Sequence, residues 1–275
     1  MVVFPFCKIN LGLHIKAKRT DGFHDIETIF YPVYGYSDVL EIIRSNKSEY
    51  SFQQKGIPIK TNHDIDINLV EKAYLLLREK YHLPSVDMFL YKNIPVGAGL
   101  GGSSSDATFT LKLLDTIFSL HLDNKTLKEY ATQLGSDCPF FIDTVPAIGT
   151  NRGNKLVSCS IPQLSKKYLV IVTPNIFIST AEAYKSCKPY QRNISLLEII
   201  SQPISCWKDT LTNDFEKTIF PLYPELQSIK ENFYHQGAIY ASLTGSGSSL
   251  YGIFKKEPLS LELNPDYFLY QGWLF

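Results

Sequence analysis

The sequence predicts a globular protein of mixed α and β structure, large enough for one large domain or two ordinary ones. The chain has 275 residues, of which 44% are hydrophobic and 20% charged, a balance typical of folded proteins. Stretches in which apolar and polar residues alternate predict strands, and they are interleaved with stretches of helical periodicity. In the middle of the chain a predicted strand, a glycine-rich bend and a predicted helix follow one another directly.

The composition excludes several classes of protein. Lys and Arg together number 27, as do Asp and Glu, so the chain has no net charge that would attract nucleic acid or an anionic membrane. Its five cysteines are scattered and form no C-x-x-C pair, which argues against a disulfide framework or a zinc site and for a reducing compartment. No signal peptide or membrane-spanning run is evident, so we expect a cytoplasmic protein that binds neither nucleic acid nor membrane.

The first predicted strand covers residues 7–16 and alternates cleanly. Ile9, Leu11 and Leu13 fall on one face, while Lys8 and Asn10 fall on the other. Two interpretations of Lys8 remain open, because a strand lysine is most often solvated and periodicity cannot decide. The alternative is a cation held on a rigid strand and facing a binding site.

The other elements of the first half follow from similar patterns. Thr20 to His24 read as a turn around Asp-Gly. A helix is predicted over residues 67–81. Strands are predicted over residues 26–33, 39–43, 49–53 and 86–91. We expect the two strands over 39–43 and 49–53 to pair antiparallel.

The stretch from residue 95 to 107 carries the strongest functional signal. Four glycines and three serines separate the strand over 86–91 from a helical face formed by Ala107, Leu111, Leu114 and Phe118. A helix begins with unpaired N–H groups and the positive end of its dipole, and glycine lets a ligand approach the backbone closely. The stretch therefore predicts a phosphate site, although it lacks the Gly-Lys-Ser/Thr of a Walker A loop. A flexible linker is the alternative.

A carboxylate follows the next predicted helix, which spans residues 124–134 between Asp123 and Gly135. Asp137 stands there in the segment Ser-Asp-Cys-Pro-Phe-Phe. It is either a turn residue that caps the next element or a general base whose proton affinity is set by apolar neighbours and a nearby lysine.

The second half of the chain contains another Gly/Ser segment. It covers residues 244–249 between strands predicted over 239–243 and 250–254, and it is either a long hairpin turn or a second site loop. A strand is also predicted over 168–173, a helix from Pro224 to Gly237, a turn over 150–153 and an edge strand over 267–275.

Several separate segments together resemble the GHMP kinases, the family of galactokinase and of the homoserine, mevalonate and phosphomevalonate kinases. Residues 95–107 resemble the family's Gly/Ser motif. Residues 7–11 (CKINL), 19–24 (RTDGFH), 134–141 (LGSDCPFF), 213–216 (NDFE) and 243–248 (LTGSGS) resemble motifs of one member that acts in non-mevalonate isoprenoid biosynthesis. The resemblance covers nearly the whole chain, with its motifs in the same order.

The resemblance implies a fold of two domains. An α/β N-terminal domain of the ribosomal-S5-like class, with its left-handed crossover, would span residues 1–150. An α+β C-terminal domain of the ferredoxin-like class would span residues 151–275. ATP and the acceptor would meet in the cleft between the domains, and the protein would be a monomer or a weak homodimer.

The resemblance also implies the site residues. Asp137 would orient or deprotonate the acceptor hydroxyl, and Lys8 beside it would keep Asp137 ionised and offset charge in the transition state. Magnesium would accompany ATP, with a serine of the loop as its protein contact and no evident carboxylate pair. The implied ATP-binding residues are Pro95, Val96, Gly97, Ala98, Gly99, Leu100, Gly101, Gly102, Ser103, Ser104 and Ser105.

For the acceptor, the resemblance implies a cytidine diphosphate ester of methylerythritol, phosphorylated on its 2-hydroxyl. Phe23 and His24 would stack on and hydrogen-bond the cytosine, with Phe23 replacing the family's usual Tyr. The other implied contacts are Asn10, Thr244, Gly245 and Ser246. The alternatives are another small-molecule kinase of the family, of homoserine or mevalonate type, or a nucleotide-binding regulator that has lost catalysis. Lys8 and Asp137 argue against the regulator.

Overall fold

Strands and helices alternate along the chain, as the sequence pattern predicts. The structure, a computed structural model, describes residues 1–58, 67–190 and 192–274. Within these residues the strands are β1 (Val2–Val3), β2 (Phe6–Lys18), β3 (His24–Ser37), β4 (Val39–Arg44), β5 (Ser51–Gly56), β6 (Val86–Lys92), β7 (Ala147–Thr150), β8 (Lys155–Ser158), β9 (Tyr168–Thr173), β10 (Tyr240–Leu243), β11 (Leu250–Phe254) and β12 (Phe268–Trp273).

The helices include the four long ones that the periodicity predicts, three in the first half of the chain and one before residue 237. They are α1 (Leu69–Tyr81), α2 (Gly102–Phe118), α3 (Asn124–Leu134), α4 (Phe140–Asp143), α5 (Thr180–Ser186), α6 (Leu196–Ile200), α7 (Trp207–Thr210), α8 (Glu216–Leu222) and α9 (Pro224–His235). In the part of the chain that the structure describes, none of them is long and apolar enough to cross a membrane.

The chain divides into two compact units that are discontinuous in sequence. The first comprises the described residues among Met1–Cys7, Tyr34–Val96 and Gly101–Thr144. The second comprises those among Lys8–Val33, Gly97–Leu100 and Val145–Phe275. Most of β2 and β3 thus belongs with the C-terminal half of the chain. The domain boundary near residue 150 stays a prediction.

The first unit is built on a sheet with the strand order β1-β4-β6-β5. The expected antiparallel pairing of β4 with β5 is wrong, because β6 lies between them. β4 pairs antiparallel with β6, whereas β5 pairs parallel with β6. A parallel pair needs a crossover rather than a hairpin, and α1 lies between β5 and β6 in the chain. Val70, Tyr74 and Leu77 of α1 and Leu111 and Leu114 of α2 contribute to the apolar core of this unit.

The second unit contains two further sheets, with the orders β10-β11-β9-β12 and β2-β3-β7-β8. β12 is the predicted edge strand, and Phe275 lies outside the described residues. β7 and β8 form a hairpin around the predicted turn over residues 150–153, of which Thr150 is still the last residue of β7. The sequence analysis did not predict these two strands. β8 is mostly exposed, so its sequence needs no alternation of apolar and polar residues. The core of this unit includes Leu13 and Ile15 of β2 and Val170 and Val172 of β9.

Candidate active site

Lys8 is a buried cation on β2. Only 2% of the residue is exposed, so the interpretation of Lys8 as a solvated strand lysine is wrong. β2 is buried on both faces from Phe6 to Ile15, and its polar face therefore meets protein rather than water. The Lys8 Nζ donates to Asn10 Oδ1 at 2.6 Å and to the carbonyl oxygen of Gly99 at 2.8 Å. It also lies 5.4 Å from the ring centre of Phe30, within cation–π range.

Asn10 connects Lys8 to the Gly/Ser segment after β10. The Asn10 Nδ2 donates to Thr28 Oγ1 at 2.9 Å, and the Asn10 backbone N–H donates to Thr244 Oγ1 at 3.0 Å. The Thr244 hydroxyl in turn lies 3.1 Å from the carbonyl oxygen of Gly99 and 3.2 Å from Asn10 Oδ1. Asn10, Thr28 and Thr244 are each buried. The network holds Asn10 so that its side-chain oxygen faces the ammonium of Lys8.

Gly99 is a position where only glycine fits. Its φ is +79°, and a Cβ there would lie 2.0 Å from the carbonyl oxygen of Thr244. The neighbouring backbone is fixed by hydrogen bonds from Lys8 N to Leu100 O at 2.9 Å and from Ser249 N to Ala98 O at 3.1 Å. Residues 97–100 of the glycine-rich stretch therefore pack against the segment 244–249, which is a hairpin turn and also part of the Lys8 network.

Asn213 forms hydrogen bonds with the backbone at the start of the segment 244–249. Its Nδ2 donates to the carbonyl oxygens of Leu243 and Gly245, both at 2.9 Å, and the residue is buried. Ser246 Oγ lies 3.1 Å from Thr180 Oγ1 at the start of α5. These hydrogen bonds restrain Thr244, Gly245 and Ser246, and Asn213 is a supporting residue whose role the sequence motif alone did not explain.

In the first unit, the end of the glycine-rich stretch is helical. α2 begins at Gly102, five residues before the apolar face at Ala107, so Ser103, Ser104 and Ser105 lie in its first turns rather than in a loop. The N-cap is Gly101 with φ +70°, and glycine has no side chain that could accept a hydrogen bond from the first turn. The first N–H groups of a helix have no intrahelical acceptor. An anion is therefore a suitable partner for this helix start.

Asp137 lies in the turn between α3 and α4 of the same unit. The N-cap residue of α4 is Pro139, and the backbone N–H of Phe140 donates to the carbonyl oxygen of Asp137 at 3.2 Å. Asp137 is half-buried, and the following Cys138 is fully buried. Thr108 Oγ1 lies 2.9 Å from the carbonyl oxygen of Ser104 and 2.9 Å from that of Cys138. This hydroxyl ties the Asp137 turn to the start of α2.

The turn that carries Phe23 and His24 is shaped by Arg19. Arg19 forms ion pairs with Asp21 at 3.0 Å and Asp25 at 2.9 Å and donates a hydrogen bond to Asn151 Oδ1. Phe23 is 47% exposed, so its ring is available to a ligand. The sequence did not predict Arg19 as an organiser of this turn, although its two acidic neighbours were visible.

Aromatic and cationic side chains cover Phe23 and His24 from one side. The guanidinium carbon of Arg152 lies 3.4 Å from the ring centre of Phe23, and the His24 ring stacks on Tyr184 at 4.8 Å with an angle of 16°. Burial, with a smaller effect of Lys18, lowers the pKa of His24. His24 is therefore a neutral hydrogen-bonding group at neutral pH. Tyr184 and Arg152 are neighbours that the motif did not reveal.

A dedicated metal site of acidic side chains is not evident. Among the residues that the structure describes, no group of three or more His, Cys, Asp or Glu side chains is arranged to hold a metal. Magnesium in kinases needs only one or two protein ligands, because waters and phosphates supply the rest. The serine hydroxyls at the start of α2 fit that requirement, and the Ser105 Oγ is buried without a hydrogen-bond partner among the described residues.

Comparison with known proteins decides the family. The model of the GHMP kinases N terminal domain matches residues 68–144, and that of the GHMP kinases C terminal domain matches residues 196–262. The chain belongs to the GHMP kinase family. The expected fold of two GHMP kinase domains is thereby confirmed. The GHMP kinases are ATP-dependent, and ATP is therefore the phosphoryl donor of this kinase.

The chain is most informatively compared with individual members of the family. The chain is 51% identical over 257 residues to a 4-diphosphocytidyl-2-C-methyl-D-erythritol kinase of Azobacteroides pseudotrichonymphae, with 93% of this chain and 94% of the relative covered. It is 48% identical over 259 residues to the kinase of the same name from Bacteroides fragilis, covering 94% and 93%. A crystal structure of 4-(cytidine 5'-diphospho)-2C-methyl-D-erythritol kinase matches this GHMP kinase with a TM-score of 0.78 at 26% identity, covering 93% of this chain and 91% of that one.

Proposed function

We propose that this kinase transfers the γ-phosphoryl group of ATP to the 2-hydroxyl of 4-diphosphocytidyl-2-C-methyl-D-erythritol. The observation that carries the proposal is the buried Lys8, whose ammonium contacts Asn10 and the glycine-rich stretch at Gly99. A protein that only binds nucleotides has no need to bury a lysine at that place. The two relatives named 4-diphosphocytidyl-2-C-methyl-D-erythritol kinase, at 51% and 48% identity, support the choice of acceptor.

The phosphates of ATP bind to residues 95–105 in this proposal. The N–H groups at the start of α2 and the positive end of its dipole supply the attraction for the phosphate oxygens. Gly97, Gly99 and Gly101 each have positive φ, so the stretch presents backbone rather than side chains to the ligand. Binding through backbone N–H groups suits a phosphate, which offers acceptors and no donors.

Lys8 and Asp137 carry the chemistry. Phosphoryl transfer depends mainly on positioning and on offsetting charge, so few residues suffice. Asp137 orients the attacking 2-hydroxyl and accepts its proton, and the ammonium of Lys8 offsets the charge on the transferred group. A serine among Ser103, Ser104 and Ser105 would hold magnesium, whose charge would further neutralise the phosphates.

The acceptor binds through its cytosine and its methylerythritol part. The exposed ring of Phe23 stacks on the cytosine, and neutral His24 hydrogen-bonds its edge. Asn10, Thr244, Gly245 and Ser246 hold the remainder of the acceptor. The cytoplasmic location and the monomeric or weakly dimeric state stay predictions.

The test uses Asp137→Ala and wild-type protein in an assay that couples ADP release to acceptor addition. We expect Asp137→Ala to bind ATP normally and to lose at least about 100-fold in kcat, the usual contribution of a general base. Lys47→Met is the control, because Lys47 lies in an exposed ion pair with Asp87.

Three results would contradict the proposal. Near-normal turnover by Asp137→Ala would remove Asp137 from the mechanism. Turnover by the wild type with mevalonate or homoserine, and none with the cytidine acceptor, would favour another kinase of the family. Binding of ATP with no turnover on any of the three acceptors would favour the regulator.

A further inference from the structure

Three ionisable side chains form a buried cluster in the first unit. Lys92 ends β6, Asp38 stands directly before β4, and Asp106 lies in α2. The Lys92 Nζ donates to Asp38 Oδ2 and, at 2.7 Å, to Asp106 Oδ2. Their side chains are exposed by 0%, 0% and 2%. Burial raises the pKa of Asp106 to about 8, so at neutral pH the cluster holds one ammonium, one carboxylate and one largely protonated carboxyl group, and its charge is close to zero.

Stability alone is a weak explanation for this cluster. Removing charges from water costs free energy that a buried ion pair recovers only in part, and well-packed apolar residues often serve stability equally well. The Asp106 Oδ1 is also buried without a hydrogen-bond partner among the described residues. A cluster with these costs is better explained by the positions that it imposes on the backbone.

Asp38 fixes the point where the glycine-rich stretch begins. Its Oδ1 accepts the backbone N–H of Asn93 at 2.6 Å and of Ile94 at 2.9 Å. Pro95 follows directly, and its ring restricts φ. The two residues before the stretch are thereby held by one carboxylate oxygen, while the other oxygen holds Lys92.

Lys92 and Asp106 fix the point where the stretch ends. Asp106 lies in the second turn of α2, and its bond to Lys92 ties that helix to the end of β6. Gly102, the first residue of α2, permits the close approach. A Cβ on Gly102 would lie 2.9 Å from Ile94 Cγ2 and 3.3 Å from Lys92 Nζ. One cluster therefore anchors both ends of the stretch.

We propose that Lys92, Asp38 and Asp106 are positioning residues that set the start of α2 for binding of the ATP phosphates. None of them needs to touch the ligand. They act by fixing the residues on either side of the glycine-rich stretch, so that its N–H groups are oriented before ATP arrives. The inference rests on the proposed placement of ATP on residues 95–105, and it is independent of the acceptor.

The test measures ATP affinity by calorimetry, with Mg²⁺ and without acceptor. Asp38→Asn cannot accept both backbone N–H groups and the Lys92 ammonium, because one of its two terminal atoms is a donor. We expect it to weaken ATP binding about tenfold or more, as expected for the loss of a charged hydrogen bond. Asp106→Asn keeps an acceptor for Lys92 and leaves that cluster neutral, so we expect ATP affinity within about threefold of wild type.

Further measurements separate positioning from a general loss of structure. With the acceptor present, Asp38→Asn should raise the KM for ATP and leave the KM for the acceptor unchanged. Lys47→Met, which removes an exposed ion pair of the same unit, should change neither. If Asp38→Asn does not fold, Gly102→Ala replaces it, because the added methyl group would press on Ile94 and Lys92, which supply the nearest atoms.

The results distinguish this inference from the acceptor assignment. Weakened ATP binding in Asp38→Asn or Gly102→Ala supports the anchor even if the wild type proves inactive on the cytidine acceptor. Folded Asp38→Asn that binds ATP within about twofold of wild type overturns the anchor, whichever acceptor the wild type uses. Equal rises in the KM for both substrates would also overturn it.

Discussion

His14 is fully buried on β2, and neither ring nitrogen has a hydrogen-bond partner among the described residues. Burial, with a smaller effect of Arg192, lowers the pKa of His14 to about 4, although Asp214 and Glu27 oppose the shift. The imidazole is therefore neutral in the folded protein at neutral pH. In the unfolded chain it would titrate near its ordinary value of about 6.5.

This shift predicts acid sensitivity with a defined range. Between pH 6.5 and 4 the unfolded chain binds more protons at His14 than the folded chain, so stability falls as the pH falls through that range. From pH 7 to pH 5 the loss in free energy of unfolding should be about 2 kcal/mol from this residue. Urea denaturation at the two pH values measures it.

The matched variant for this prediction is His14→Leu. It should remove most of the loss between pH 7 and pH 5, because its apolar side chain has no proton to gain. The pKa of Asp214 is lowered, mainly by its hydrogen bond from Arg192 acting against burial, so its contribution is lost at lower pH than that of His14. An unchanged loss in His14→Leu would assign the acid sensitivity to other groups.

At the scale of elements, the contact between residues 97–100 and 244–249 is the one that most constrains the site. Gly99 has positive φ and lies against the backbone of Thr244. Gly237 also has positive φ, at +92°, but a Cβ there would meet nothing within 4 Å. Substituting Gly99 and Gly237 in turn separates two losses of stability. One comes from a left-handed backbone conformation at a non-glycine residue, and the other from the clash of a Cβ with nearby backbone.

Gly237→Ala should therefore cost about 1 kcal/mol of stability and leave activity unchanged, since only the left-handed conformation is penalised. Gly99→Ala should lose more stability and at least about tenfold in kcat/KM for ATP, because the two segments must separate and Lys8 loses the Gly99 carbonyl. Thermal denaturation and steady-state kinetics of both variants provide the comparison. Equal effects of the two substitutions would show that the close approach has no role.

Elements with strong local patterns were predictable, and those set by tertiary structure were not. α1, α3 and α9 follow from apolar residues at helical spacing. The start of α2 at Gly102 was not predictable, because residues 102–105 offer no apolar periodicity and glycine disfavours a helix. The order of β4, β6 and β5 was not predictable either, because pairing partners depend on contacts distant in sequence.

The same distinction applies to the candidate site. Lys8, Asn10 and the glycine-rich stretch were identified from motifs, but the burial of Lys8 was not, since alternation predicts one solvated face. Thr28 had no signal in the sequence, and the motif that contains Asn213 did not reveal its role, because both roles arise from hydrogen bonds between segments far apart in the chain. The cluster of Lys92, Asp38 and Asp106 was hidden for the same reason.

At the scale of the whole molecule, attraction for a polyanionic substrate pair must be local. The chain has a formal net charge of zero. Long-range steering therefore contributes little, and in the proposed function ATP is held by oriented N–H groups and by single cations such as Lys8. Selection of the acceptor must then depend on direct contacts, and the family resemblance predicts that Phe23 and His24 make those with the cytosine.

Competition between acceptors tests the central claim most directly. The wild-type kinase is incubated with ATP, Mg²⁺ and equal concentrations of 4-diphosphocytidyl-2-C-methyl-D-erythritol, mevalonate and homoserine, and the products are followed by phosphorus NMR. We expect one new phosphomonoester, on the 2-hydroxyl of the cytidine acceptor, formed in equal amount to ADP. Phosphorylation of mevalonate or homoserine in preference to it, or ADP formation without a phosphorylated acceptor, would contradict the proposed function.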